Sequence, residues 1–140
     1  MTTPTQLTSC APASPPIRLI LRAESLLLLI AAVYSYDQLQ ASWWWFAAVF
    51  LLPDVAMLAY ALGPRWGAWA YNCTHSYIGP ALLGILAYAL VPSLWATCCV
   101  WLAHIAMDRT LGYGLKSSQG FSDTHLGTIG KARFAITKPH

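Results

Sequence analysis

Five ionisable residues stand inside long apolar runs of this sequence: Glu24, Asp54, His75, His104 and Asp108. An acid or an imidazole surrounded by hydrocarbon is costly, and such residues mark functional sites more often than packing. Spacing sorts them into faces. His104 and Asp108 are four apart, as are Tyr71 and His75, and Asn72 lies three before His75; residues three or four apart share one side of a helix. If those faces turn inward, the sequence supplies two imidazoles and up to three carboxylates to one pocket.

Three kinds of chemistry suit that inventory. Facing helices can hold a divalent metal with imidazole and carboxylate ligands, and His75, His104 and Asp108 are the candidate ligands. Metal-free acid–base chemistry would use Asp54, His75, His104 and Asp108 with Glu24 assisting, because desolvation keeps a carboxyl protonated and able to donate at neutral pH. The same groups in series would make a proton or ion relay. Each residue also has a structural reading. Glu24 can pair with Arg22 or Arg109, Asp54 can satisfy backbone groups freed by Pro53, and Asn72 and His75 can hydrogen-bond between helices. Asp108 and Arg109 can form an interfacial ion pair; His104 is the hardest to explain as structure alone.

The elements that must position these residues are four apolar runs at residues 17–36, 43–62, 66–90 and 93–112. Each approaches the ~20 residues needed to cross a hydrocarbon core of ~30 Å. The chain is 57% hydrophobic and 9% charged, whereas a soluble domain carries about 25% charge. Residues 26–33 and 43–52 are apolar all round, which leaves a soluble helical protein no polar face to show. Basic residues complete the argument. Arg18 and Arg22 open the first run, Arg65 separates the second from the third, and Arg109, Lys116, Lys131, Arg133 and Lys138 lie at or beyond the end of the fourth. The alternate loops carry none. This is the positive-inside pattern. The expectation is an all-α, multi-pass transmembrane four-helix bundle in the cell membrane, with both termini cytoplasmic. At a rise of 1.5 Å per residue, Glu24, Asp54, His75 and His104 then share one layer about 10–13 Å from the cytoplasmic end, with Asp108 at about 6 Å.

The remaining features fit a single domain of three parts: a disordered Thr/Ser/Pro-rich tail over residues 1–16, the bundle over 17–112, and a cytoplasmic Gly-rich loop and tail over 113–140. Pro15 and Pro16 are expected to delay the first helix until Ile17. Tyr34, Tyr36 and Trp43–Trp45 are expected at the outer interface. Pro53 should kink the second run, and the third, which holds Asn72, His75, Gly79 and Pro80, should bend near its middle. Cys10, Cys73, Cys98 and Cys99 form no CxxC pair and read as small apolar residues with reduced thiols. The net charge of +3 lies in loops, which suits anionic lipid head groups and not nucleic acid. The stretch Gly120-Phe121-Ser122-Asp123-Thr124-His125-Leu126-Gly127 either folds back as a lid over the cytoplasmic mouth, with Lys116 nearby, or is a solvated loop. No phosphate-binding glycine loop, nucleophile elbow, haem attachment motif or zinc-finger spacing occurs.

Several of these segments also carry a resemblance. Pro53-Asp54 with Met57 and Tyr60, Gly63-Pro64-Arg65, Tyr71-Asn72 with His75, and His104 through Arg109 followed by Gly112 through Lys116 resemble a domain-of-unknown-function family, as does the ending Gly120-Phe121 with Asp123 through Gly127. Its members look like small bacterial four-span membrane proteins, and the resemblance covers about residues 17–131. It implies the topology and supplies no activity. The functional expectation is a membrane enzyme, acid–base or metal-assisted, that takes a lipophilic small-molecule substrate from the bilayer. A proton-coupled transporter subunit, homo-oligomeric because four spans make a narrow bundle, and a non-catalytic partner of a membrane complex remain open.

Overall fold

The computed structural model describes residues 14–116 together with the backbone of residues 123–124 and 127–128. Helix α1 runs over Pro15–Gln38. It starts at the prolines, not after them. A first-turn residue has no intrahelical partner for its N–H, and proline brings a helical φ already fixed. Gln40, at φ 51°, turns the chain and donates from Nε2 to Asp37 O at 2.9 Å.

Helix α2 follows over Trp43–Phe50 and gives way to a 3₁₀ helix over Leu52–Leu62, with Pro53 in its first turn. Eleven residues is long for 3₁₀ geometry, which usually runs for three or four. The kink expected at Pro53 is therefore a change of helix type sustained for the rest of the run. Gly63, at φ 119°, reverses the chain into α3, Pro64–Thr74. The backbone of Gly67 lies directly under the Tyr60 ring, so the 3₁₀ helix and α3 pack at a separation no side chain would allow.

The third run is broken. Helix α3 stops where His75 leaves helical geometry (φ −109°, ψ 13°), and α4 begins at Ile78 and ends at Ala89. Helix α5, Leu94–Leu111, ends on Gly112 at φ 96°, with Gly112 N bonded to Arg109 O and Tyr113 N to Asp108 O. This left-handed cap is a glycine position. Helix α5 is the central element: α1, α2 and α4 pack on it, and Val100, Ala103, His104, Ile105 and Ala106 are buried there.

Tyr36 corrects one expectation. It is fully buried, its hydroxyl donates to Ser42 O, and its ring meets Trp43 and Phe46 beside Cys99 and Val100. Its hydroxyl finds a backbone acceptor across the α1–α2 turn, so it serves the core instead of the interface. The exterior, by contrast, is apolar: Leu27, Trp44, Leu58, Leu82, Ile85 and Tyr88 are each more than half exposed. Among the described residues, Trp43–Leu62 is the helical stretch long and apolar enough to cross a membrane. The third run is split between α3 and α4, and α1 and α5 carry charged residues within their length. Antiparallel strands β1 (Asp123–Thr124) and β2 (Gly127–Thr128) pair where a loop was expected. Residues 1–13 of the expected tail, and His125 with most of the Gly-rich ending, lie outside the described residues.

Candidate functional site

The break after α3 makes the site. His75 caps the helix, its N bonded to Tyr71 O at 2.9 Å, and its ring turns back so that Nδ1 lies 3.0 Å from the same carbonyl. A ring nitrogen facing a carbonyl carries the proton. With the proton on Nδ1 the ring donates to Tyr71 O and offers Nε2 as an acceptor; the Thr74 hydroxyl oxygen also lies 2.9 Å from Nδ1. The Tyr71 ring stacks on the imidazole at 3.7 Å and holds its plane.

Three other side chains bring polar atoms to His75 Nε2. His104, on α5, places its Nε2 3.1 Å away. Asp54, in the first turn of the 3₁₀ helix, places Oδ1 3.4 Å from His75 Nε2 and 3.6 Å from His104 Nε2. Asp108, one turn beyond His104, places Oδ2 3.6 Å from His75 Nε2 and accepts a hydrogen bond from the Tyr71 hydroxyl at 3.1 Å. Both histidines are buried, while the Asp54 side chain is 45% exposed and opens the cluster to one side.

The backbone around the break is tied down. Trp101 Nε1 donates to Thr74 O at 2.7 Å, Arg109 Nη2 donates to His75 O at 3.2 Å, and the Thr74 hydroxyl reaches Pro53 O at 3.3 Å. A broken helix leaves carbonyls without intrahelical donors, and a buried one must find another. Here α5 supplies the donors. Below the cluster the chain leaving α5 folds across α3: Asn72 Nδ2 donates to Lys116 O at 2.9 Å and Lys116 N donates to Asn72 Oδ1 at 2.7 Å. The Lys116 ammonium then lies over the Tyr71 ring, 5.1 Å from its centroid. Burial pushes the Lys116 amine below the usual lysine range, and Asp108 opposes that shift in part.

Of the five expected site residues, the structure brings Asp54, His75, His104 and Asp108 together and leaves Glu24 apart. Glu24 lines a separate cleft between α1 and α5 with Ser25, Tyr77 and Arg109. Asp54 and not Asp108 completes the closest trio. Ligand atoms of Asp54, His75 and His104 all lie within 4.8 Å of one another. Tetrahedral ligands at ~2.0–2.1 Å from zinc stand ~3.3–3.4 Å apart, so separations of 3.1, 3.4 and 3.6 Å match what one small cation requires. His75 has the orienting Nδ1–H bond that metal-binding histidines usually have. His104 departs from that habit: its Nδ1 is buried with no hydrogen-bond partner among the described residues, and its ring is held by the Phe50 edge at 5.1 Å. The Asn72–Lys116 clamp and the Trp101–Thr74 bond were not legible from residue types. Each joins a side chain to a backbone group distant in sequence, and backbone partners leave no sequence signal.

No curated protein and no solved structure matches the chain. Residues 18–129 match one family, which covers Asp54, His75, His104 and Asp108 alike, and the chain belongs to that family, described as Domain of unknown function (DUF4260).

Proposed function

We propose that this protein is a small four-span membrane enzyme that binds a divalent metal through His75, His104 and Asp54 and acts on a lipophilic substrate from the cytoplasmic leaflet. One observation carries the reading: two imidazole Nε2 atoms and a carboxylate oxygen, from three different helical segments, converge within 4.8 Å. Two histidines and one carboxylate on one side of a metal leave positions open for water or substrate. The exposed side of Asp54 is the access route. A metal here would polarise an oxygen it binds. The chain's own residues do the rest. Asp108, outside the trio and held by the Tyr71 hydroxyl, is the group placed to take or return a proton at Oδ2. The stacked Tyr71 and the buried His104 keep water from the opposite side. Four spans with cytoplasmic termini rest on the basic-residue pattern and on the apolar exterior.

Elemental analysis of the purified protein tests the reading. Wild type should hold near-stoichiometric zinc, iron or manganese, and Asp54→Asn, which leaves the buried core intact, should hold far less. A second reading has its own observation. Two Nε2 atoms at 3.1 Å attract only if one ring carries a proton there, so without a metal His104, His75 and the two aspartates form a proton path. Metal-free protein that moves protons across proteoliposomes, and ceases to in His75→Ala, would favour that carrier reading.

A further inference from the structure

Beside the cluster lies a cleft of about 260 Å³. Pro53 and Thr74 form one wall, and they immediately precede Asp54 and His75 in the chain. Trp101, one turn before His104, forms another. The cleft thus abuts all three segments that carry the trio. Val49, Leu52, Leu83 and Thr97 complete it. The Thr74 and Trp101 polar atoms along the wall are engaged with backbone carbonyls. The Thr74 hydroxyl is bonded to Pro53 O and Tyr71 O, and the Trp101 indole N–H to Thr74 O. What remains to line the cleft is almost entirely carbon.

The direction of the cleft is as informative as its polarity. Val49 precedes Asp54, Thr97 precedes His104 and Leu83 follows His75, so in the four-span topology all three lie outward of the cluster. Thr97 is seven residues before His104, about 10 Å along the helix axis. The polar cluster is nearer the cytoplasm and the apolar cleft nearer the bilayer centre. An amphiphile in the cytoplasmic leaflet has its head and tail in that same order.

We propose, building on the metal-enzyme reading, that this cleft receives one hydrocarbon chain of a single-tailed amphiphile of the inner leaflet, with the polar head presented to Asp54, His75 and His104. The volume is below the ~300 Å³ at which ordinary ligand pockets begin, which suits a segment of one hydrocarbon chain. Chain and bilayer are equally apolar, so the cleft selects by shape and position and adds little affinity.

The probe is a long-chain fatty acid with a diazirine at mid-chain, photolysed with the full-length protein in nanodiscs of phosphatidylethanolamine and phosphatidylglycerol. Adducts should concentrate on Val49, Leu83 and Thr97, fall when unlabelled fatty acid competes, and be lost in Thr97→Trp, which fills the space. Leu83→Phe serves as the second filling variant if Thr97→Trp does not fold. Adducts spread over exposed Leu27, Leu58 and Ile85, unaffected by either variant, would overturn the proposal. Metal content of the same samples keeps the two readings apart. Metal-free protein that still labels the cleft sinks the metal centre and keeps the chain site; metal-loaded protein with no cleft adduct does the reverse.

Discussion

Replacing Asp54 by Asn is the most discriminating perturbation of this site. Asp54 is the trio member whose side chain is half exposed, whereas His104 is 1% exposed in the core of α5. His104→Ala would remove a ligand and open a cavity together, at about 2–5 kcal/mol for a large core side chain, so metal loss and unfolding would be confounded. Asn keeps the shape of Asp and removes only the charge. Structural zinc sites bind with about 10–16 kcal/mol spread over four ligands, so one ligand carries about 2.5–4 kcal/mol. At 1.4 kcal/mol per tenfold, Asp54→Asn should weaken metal affinity by roughly 10²–10³. Linkage makes the loss visible as stability. Metal at a hundred times its Kd adds about 2.7 kcal/mol to the wild type; the same concentration adds at most about 0.4 kcal/mol when affinity falls a hundredfold. The assay is thermal unfolding in detergent with chelator and then with zinc, alongside metal analysis. Wild type should melt higher with zinc, and Asp54→Asn should melt nearly the same with and without it. Equal zinc-dependent shifts in both proteins would show that Asp54 is no ligand, and no shift in either would refute the metal centre.

Other outcomes follow from single contacts. Tyr71→Phe removes the hydroxyl bonded to Asp108; if Asp108 also reaches the metal, affinity should fall about 10–100-fold, and if it acts only as a proton carrier, metal content should stay unchanged while turnover drops. Asn72→Ala breaks both bonds to the Lys116 backbone, about 1–3 kcal/mol in total, so limited proteolysis after residue 112 should accelerate with metal retained; unchanged cleavage would show that the clamp holds nothing. Gly79→Ala puts a methyl group into the Trp101 ring, which should cost about 1–3 kcal/mol and, by moving the donor to Thr74 O, lower metal affinity as well; a neutral variant would show that Trp101 moves freely. For topology, Ser42→Cys in a cysteine-free background should react with an impermeant maleimide in intact cells and Arg65→Cys only after lysis. The opposite labelling would invert the bundle.

The sequence reached the helical character of the described residues and the cluster almost entire, because both follow from composition and spacing. Apolar runs interrupted by Gly, Pro and Arg leave few options other than helices. Acids and imidazoles within such runs stand out whatever the tertiary structure. What it missed depends on how the helices end. Nothing in the types of residues 66–90 separates a bent helix from two helices broken at His75, because the break is held by donors from Trp101 and Arg109 on another element. The same ignorance hid which carboxylate stands within reach of both imidazoles. Asp108 has the favourable spacing to His104, while Asp54 enters because the long 3₁₀ helix, tied to α3 through Gly67 and Thr74, presents it across the bundle. Glu24 shared the depth of the other acids, but depth is one coordinate and says nothing of azimuth around the bundle.

The irregularities of this fold fall where the polar residues are. The 3₁₀ helix starts two residues before Asp54, and α3 ends at His75 itself. Local departures of this kind are expected at sites and not elsewhere, since a regular helix satisfies its backbone at no cost to the rest of the molecule. Electrostatics points the same way. Two carboxylate oxygens within 3.6 Å of His75 Nε2 are favoured there when a positive charge lies among them, whether a protonated imidazole or a bound cation. The ammonium of Lys116 lies 5.1 Å from the centroid of the Tyr71 ring, near enough to Asp108 for the two charges to act on each other. A bundle needing only interhelical glue would use single neutral hydrogen bonds, as Ser25 and Thr110 do within their own helices. Under the proposed function a bound metal ion would join these groups; in the carrier reading a proton shared between the two imidazole Nε2 atoms, 3.1 Å apart, would do so.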